Sequence, residues 1–236
     1  RSLVKHCDAI VLGPGLSLTE ASIAFVVSVL DATDAETPLL IDADALNALA
    51  AVGERKPPVV SHEGTEPGEE SINSVTQGLT RNLALESAGG LRVKPAMTGR
   101  GVINRRLPGS ILTPHAGELD RLLKAFNCEN AEALTQELCA IVVAKGPETR
   151  ILSPDGRTLT NSNGTPALAT AGTGDVLSGI IGSLLAQGLA PFEAATLGVE
   201  LHAQAGKRAE QELGTRSVIA TDLLAQLPQV LKGVSS

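Results

Sequence analysis

The chain has no tyrosine, no tryptophan and only three phenylalanines in 236 residues. Its core must therefore be aliphatic, and the aromatic platforms on which single-stranded nucleic acids stack are missing. Positive charge is also scarce, with 19 Lys and Arg against 26 Asp and Glu, a net charge of -7. That balance excludes a phosphate-backbone partner, so no nucleic acid is expected. It leaves room for a small anion held by local amides. Three cysteines, Cys7, Cys128 and Cys139, are far apart and odd in number, which fits neither a disulfide framework nor a zinc site and points to a reducing cytoplasm. No His, Cys, Asp or Glu set has metal-ligand spacing. A long membrane-spanning run is missing too: the uncharged stretch from Val176 to Phe192 is interrupted by Ser178, Gln187, Gly188 and Pro191, and no membrane association is expected. No secretory signal is visible, and the chain opens at Arg1 without Met, so this start is not expected to be a natural one.

What is present is a rhythm. "AIVLG" (Ala9–Gly13) is a continuous apolar run, as expected of a parallel strand buried on both faces. A helix from about Thr19 to Asp31 follows, then a strand at "PLLID" (Pro38–Asp42) and a helix over Ala43–Val52. Such alternation predicts βαβ units. Between Gly53 and Gly109 it fails for roughly 55 residues, where compact domains place about 4 to 6, and 53–109 is expected to be a disordered insertion with weak helical periodicity near Ile72–Leu85. The rhythm resumes at "SILTPHAGELDRLL" (Ser110–Leu123), a strand and a helix. A helix over Ala131–Cys139, a buried strand at Ala140–Ala144 and a hairpin turning at Asp155-Gly156 come next. Three helices close the chain: one after Gly174 stopped by Gly188, one from Pro191 to Leu213, and one over Thr221–Leu231. The length fits one domain spanning 1–236.

Several strand ends carry chemistry. "ATAGTGDVLSGIIGSLLAQG" (Ala169–Gly188) sets Gly172, Thr173 and Gly174 before a buried-looking Asp175 at a helix start. Open helix amides and glycines let a phosphate approach closely, and Asp175 could then take the proton of an attacking hydroxyl. Asp175 as a plain helix-start residue is the alternative. "KGPET" (Lys145, Gly146, Pro147, Glu148, Thr149) follows a strand and could hold nucleotide phosphates, or simply turn the chain. In "DADALN", Asp42 points to the same edge, where it could orient Mg²⁺ waters or a substrate hydroxyl, while Asp44 and Asn47 also suit a helix start. In "TPHAGE", His115 and Glu118 read either as substrate recognition or as a turn with a helix start. "GPGL" (Gly13–Leu16) is a weak turn signal, and His202 reads as packing within its helix.

Taken in order, "VLGPGL", "IDADALN", "LTPHAGE", "AKGPET" and "ATAGTGDVLSGIIGSLLAQG", extended by "ELHAQAGKRA" and "ATDLLAQLP", resemble the ADP/ATP-dependent NAD(P)H-hydrate dehydratases of the ribokinase-like superfamily. The resemblance implies an α/β fold with a mostly parallel sheet between helix layers. It implies repair of a damaged nicotinamide cofactor, whose ring hydroxyl is phosphorylated and then eliminated as phosphate. Asp175 would be the base. Gly15, His115 and Asp175 would touch the hydrate, with Asp42, Asn47 and Glu118 as further substrate-side candidates. Lys145 to Thr149, Thr173 and Gly174 would hold the nucleotide. The "AGTGD" form is similar to the bacterial type, implying ADP, or else ATP, with Mg²⁺. Members of the family begin with a further glycine-rich strand and helix upstream of this start, and the sheet edge left without it would favour a homo-oligomer. The rival expectations are a sibling kinase acting on a small metabolite such as a vitamin precursor, and a nucleotide-binding fragment without turnover.

Overall fold

The computed structural model describes residues 7–34, 36–53 and 107–234. All of them belong to one compact unit of the chain. The expected insertion at 53–109, apart from Gly53 and 107–109, and the periodicity near Ile72–Leu85 lie outside the described residues.

Six strands form one sheet in the spatial order of the sequence: β1 (Ile10–Leu12), β2 (Leu39–Ile41), β3 (Ile111–Leu112), β4 (Ile141–Ala144), β5 (Thr149–Leu152) and β6 (Thr158–Asn161). The first four run parallel, and β4, β5 and β6 pair antiparallel. Among the described residues, seven α-helices surround it: α1 (Glu20–Ala32), α2 (Ala43–Gly53), α3 (Ala116–Phe126), α4 (Ala131–Leu138), α5 (Thr173–Ala186), α6 (Pro191–Leu213) and α7 (Ala220–Val234).

Strand alternation assigns these helices to two faces. Leu39, Ile41, Leu112 and Val142 pack with Val26, Leu46, Leu122 and Leu134 from α1 to α4. Their neighbours Leu40, Ile111, Ile141 and Val143 point the other way, onto Leu177, Ile181, Val199 and Leu223 from α5, α6 and α7. The expected parallel-strand runs are thus continuous because both faces are covered, not because the pattern lacks a period. Each fully buried Leu or Ile, such as Leu40, Ile111 and Ile181, contributes about 1.5–3 kcal/mol. With almost no aromatics, glycine brings the helices close enough to fill space. A Cβ on Gly198 of α6 would lie 2.5 Å from Ile181 Cγ1, and one on Gly206 would lie 2.5 Å from Leu168 Cδ2.

The punctuation behaves as the residues require. Thr19 caps α1, Asn130 caps α4, and Pro191 opens α6, which stops at Gly214 with φ 80°. Gly156 turns the β5–β6 hairpin at φ 89°. The last helix is longer than its apolar pattern predicts and runs through Pro228, which supplies no N–H there. No helix among the described residues is long and apolar enough to cross a membrane.

Candidate active site

The carboxyl ends of β1 to β4 form one edge, where the chain places Gly13, Asp42, Thr113 to His115, and Lys145. Backbone pairing extends past the strands here, since Lys145 N donates to the Pro114 carbonyl at 2.8 Å and His115 pairs with Lys145. The start of α5 meets this edge from the opposite face.

At the centre stands Asp42, 1% exposed. Its Oδ1 accepts from Lys145 Nζ at 2.9 Å, and its Oδ2 accepts from Ser178 Oγ at 2.6 Å. Both oxygens are therefore engaged from inside the protein, each by one hydrogen bond. Gly174 explains how the lysine fits: a Cβ there would come within 3.2 Å of Nζ. The missing side chain lets an ammonium lie against the first turn of α5, where the helix dipole is itself positive. Two positive features facing one opening are an arrangement for an anion.

The turn leading into α5 is tied down on its buried side. Gly172 takes the N-cap position at φ 85°, with no side chain capping the helix. The Thr173 hydroxyl donates to the carbonyls of Leu168 (2.6 Å) and Thr170 (2.8 Å), so what Thr173 could turn to a ligand is backbone. Asp175, three residues after the cap, is exposed and accepts no hydrogen bond from any described residue. The sequence suggests a buried Asp175. The structure corrects this, because the apolar stripe of α5 begins one residue later and faces the sheet, leaving the carboxylate on the open side.

His115 and Glu118 form a reciprocal capping box at the start of α3. Nδ1 of His115 accepts from the amides of Gly117 and Glu118, while Glu118 Oε2 accepts from the His115 amide. The His115 side chain is nonetheless 57% exposed. Asn47 Oδ1 accepts from Arg121 Nε at 2.9 Å, joining α2 to α3. Gly15 sits in the exposed turn after β1, beside Ser17, whose amide donates to Asp44 Oδ2. Lys145 to Thr149 make the β4–β5 turn, with Gly146, Pro147 and Glu148 exposed and Thr149 Oγ1 donating to the Gly146 carbonyl.

A sequence profile of the NAD(P)H-hydrate dehydratases matches residues 87–229, more than half of the chain. The chain belongs to that family. The dehydratase-family chain is 34% identical to the bifunctional NAD(P)H-hydrate repair enzyme Nnr of Moorella thermoacetica, over 98% of its own length and 36% of that protein. It is 36% identical to the ADP-dependent (S)-NAD(P)H-hydrate dehydratase of Neisseria meningitidis serogroup B, over 95% of itself and 62% of that relative. The fold matches the ADP/ATP-dependent NAD(P)H-hydrate dehydratase of Bacillus subtilis co-crystallised with ATP and Mg²⁺, with a TM-score of 0.62, 28% identity, and coverage of 95% and 64%. The chain thus spans about a third of the bifunctional relatives and under two thirds of the dehydratase from Neisseria.

The role of three residues near this edge escapes the sequence reading. Ser178 is hidden in an apolar stripe, yet a hydroxyl one turn past Gly174 on a buried face is the signal that it has a polar partner. Arg121 lies three residues after Glu118, on the same side of α3. His202 is read as packing, and it is 9% exposed, but it does more. Its Nε2 donates to the Thr173 carbonyl at 2.9 Å, pinning the glycine turn to α6.

Burial pushes His202 down to about 4; the bond to Thr173 works against this, and the nearby Lys145 charge adds to it. The folded protein therefore keeps the ring neutral, while an unfolded chain takes up a proton near pH 6.5. His202 contributes its full share of stability above about pH 6.5 and loses it as the pH falls towards about 4, in all about 3 kcal/mol. His202→Gln keeps a donor without titrating, so its urea stability should fall less than that of the wild type over this window. Parallel pH profiles for the two proteins would refute the assignment.

Proposed function

We propose that this chain is an ADP-dependent (S)-NAD(P)H-hydrate dehydratase, active in the repair of nicotinamide cofactors. The observation that carries the reading is the meeting of Lys145 with the glycine-opened start of α5, 3.2 Å from the position a Gly174 side chain would occupy, next to a carboxylate with no hydrogen-bond partner among the described residues. The relatives, dehydratases named for their dependence on ADP or on ADP and ATP, agree with it.

The chemistry needs two steps. A nucleoside diphosphate, entering with Mg²⁺ as part of the donor, sets its phosphates between the Lys145–Thr149 turn and the amides at Gly174 and Asp175. The ring hydroxyl of the hydrate attacks the terminal phosphorus while Asp175 takes its proton, and the bond to the departing AMP breaks. Lys145 and the helix amides offset the charge on the transferring phosphoryl group. The ring nitrogen then expels the new phosphate from its carbon, and loss of a proton from the adjacent carbon restores the double bond. Gly15, His115, Glu118, Asn47 and Asp42 would serve the hydrate side of the site, with Arg121, bonded to Asn47, as a further candidate. A reducing cytoplasm goes with this reading.

The deciding assay supplies the hydrate with ADP or ATP in parallel. Equal yields of NADH or NADPH, AMP and phosphate with ADP are expected. A stable phosphate ester without regenerated NADH would overturn the reading in favour of a sibling kinase, and ADP binding without turnover would favour a nucleotide-binding fragment.

A further inference from the structure

We propose that Asp42 is a positioning residue that acts through Lys145: it fixes the ammonium against the open turn of α5, so that the phosphates of a nucleotide meet a preset cation. Lysine is a flexible four-carbon stem with a strongly hydrated head. Left to itself, it would not stay beside the positive end of a helix, because dipole and ammonium repel. Yet the Lys145 side chain is only 20% exposed and points at this position. The attraction that holds it comes from Asp42, which is almost completely buried and is itself aimed by the Ser178 hydroxyl from the second turn of the same helix.

The three side chains thus close a circuit from β2 to β4 to α5. Ser178 ties the carboxylate to the helix, the carboxylate ties the ammonium, and the ammonium lies over Gly174 at the start of that helix. Because Asp42 also offsets the lysine charge while no anion is bound, the cation needs no rearrangement when phosphate arrives. This is preorganisation by a residue that need never touch the ligand. The idea rests on the nucleotide reading above only in naming phosphates as the anion.

The test uses the full chain and two readouts: ADP affinity by calorimetry in the presence of Mg²⁺, and acylation of the Lys145 ε-amine by an amine-reactive ester, followed by mass spectrometry. Asp42→Asn should weaken ADP binding about ten- to a hundredfold and speed acylation of Lys145 several-fold, roughly as expected when one partner of a buried charge pair is removed. In a Lys145→Met background the same change should alter ADP affinity by less than about twofold, because its route is gone. A purely structural Asp42 would instead add its own loss in that background. An additive loss, or unchanged acylation in Asp42→Asn, overturns the proposal. If Asp42→Asn does not fold, Ser178→Ala takes its place with the same two criteria and a smaller expected effect, about threefold. If the wild-type chain binds no ADP, the nucleotide reading fails by itself, and the acylation arm still decides whether Asp42 holds Lys145.

Discussion

Asp175→Asn should lower turnover of the hydrate by about 10²- to 10⁴-fold while leaving the fold intact, the usual cost of removing a general base. Asparagine has the same shape, and Asp175 is exposed with no hydrogen-bond partner among the described residues, so no packing or network is lost. Its one structural service is electrostatic. A carboxylate in the first turn of α5 favours the helix by about 0.3–1 kcal/mol, so the melting temperature should fall slightly. The two roles therefore separate cleanly. A helix-start acid predicts a small stability loss with normal NADH production; a base predicts nearly normal stability with production almost abolished. ADP affinity should change little or improve, because the substitution removes a negative charge from beside the phosphates. Unchanged turnover would remove Asp175 from the mechanism.

The sequence reading recovers the architecture because the elements carry strong local signals. Apolar strands end in Gly, Asp, Thr-Pro or Lys-Gly-Pro, and Asp155-Gly156 can do little but turn. The neighbourhood of the site is legible for the same reason, since parallel strands deliver their ends to one edge. What the reading cannot supply is the pairing across that edge. Nothing in "DADALN" says whether Asp42 faces solvent or a lysine about a hundred residues away, and that choice is made by Ser178 and by the space that Gly174 leaves. His115 has the opposite problem. Its type suggests recognition, while the amides of Gly117 and Glu118 already occupy Nδ1, a use open to any side chain at a helix start that carries a hydrogen-bond acceptor. The exposure of Asp175 was hidden because an apolar helix makes its first residues look buried whichever way they point.

Gly13→Ala should be the most damaging single methyl group in the site. Gly13 has φ 135°, a backbone conformation that side chains resist, and a Cβ there would stand 1.7 Å from the Asp42 carbonyl oxygen and 2.7 Å from its carbon. Backbone, unlike a flexible side chain, cannot swing aside. The Asp42 peptide is held on both flanks, its N–H donating to the Leu12 carbonyl at 3.0 Å and its own carbonyl accepting from the Ala45 amide at 3.1 Å. Moving it would disturb the β1–β2 ladder and the first turn of α2, together with the carboxylate that holds Lys145. The expected loss is about 4 kcal/mol or more, within the range reserved for such clashes, and ADP binding should fall with it. Gly15→Ala is the control two residues on: φ is 75°, but nothing lies within 4 Å of its Cβ, so only backbone strain of about 1–2 kcal/mol is expected. Urea titration of both variants separates clash from strain. Unfolding free energies equal within about 1 kcal/mol would mean that the turn after β1 does not press on Asp42 at all.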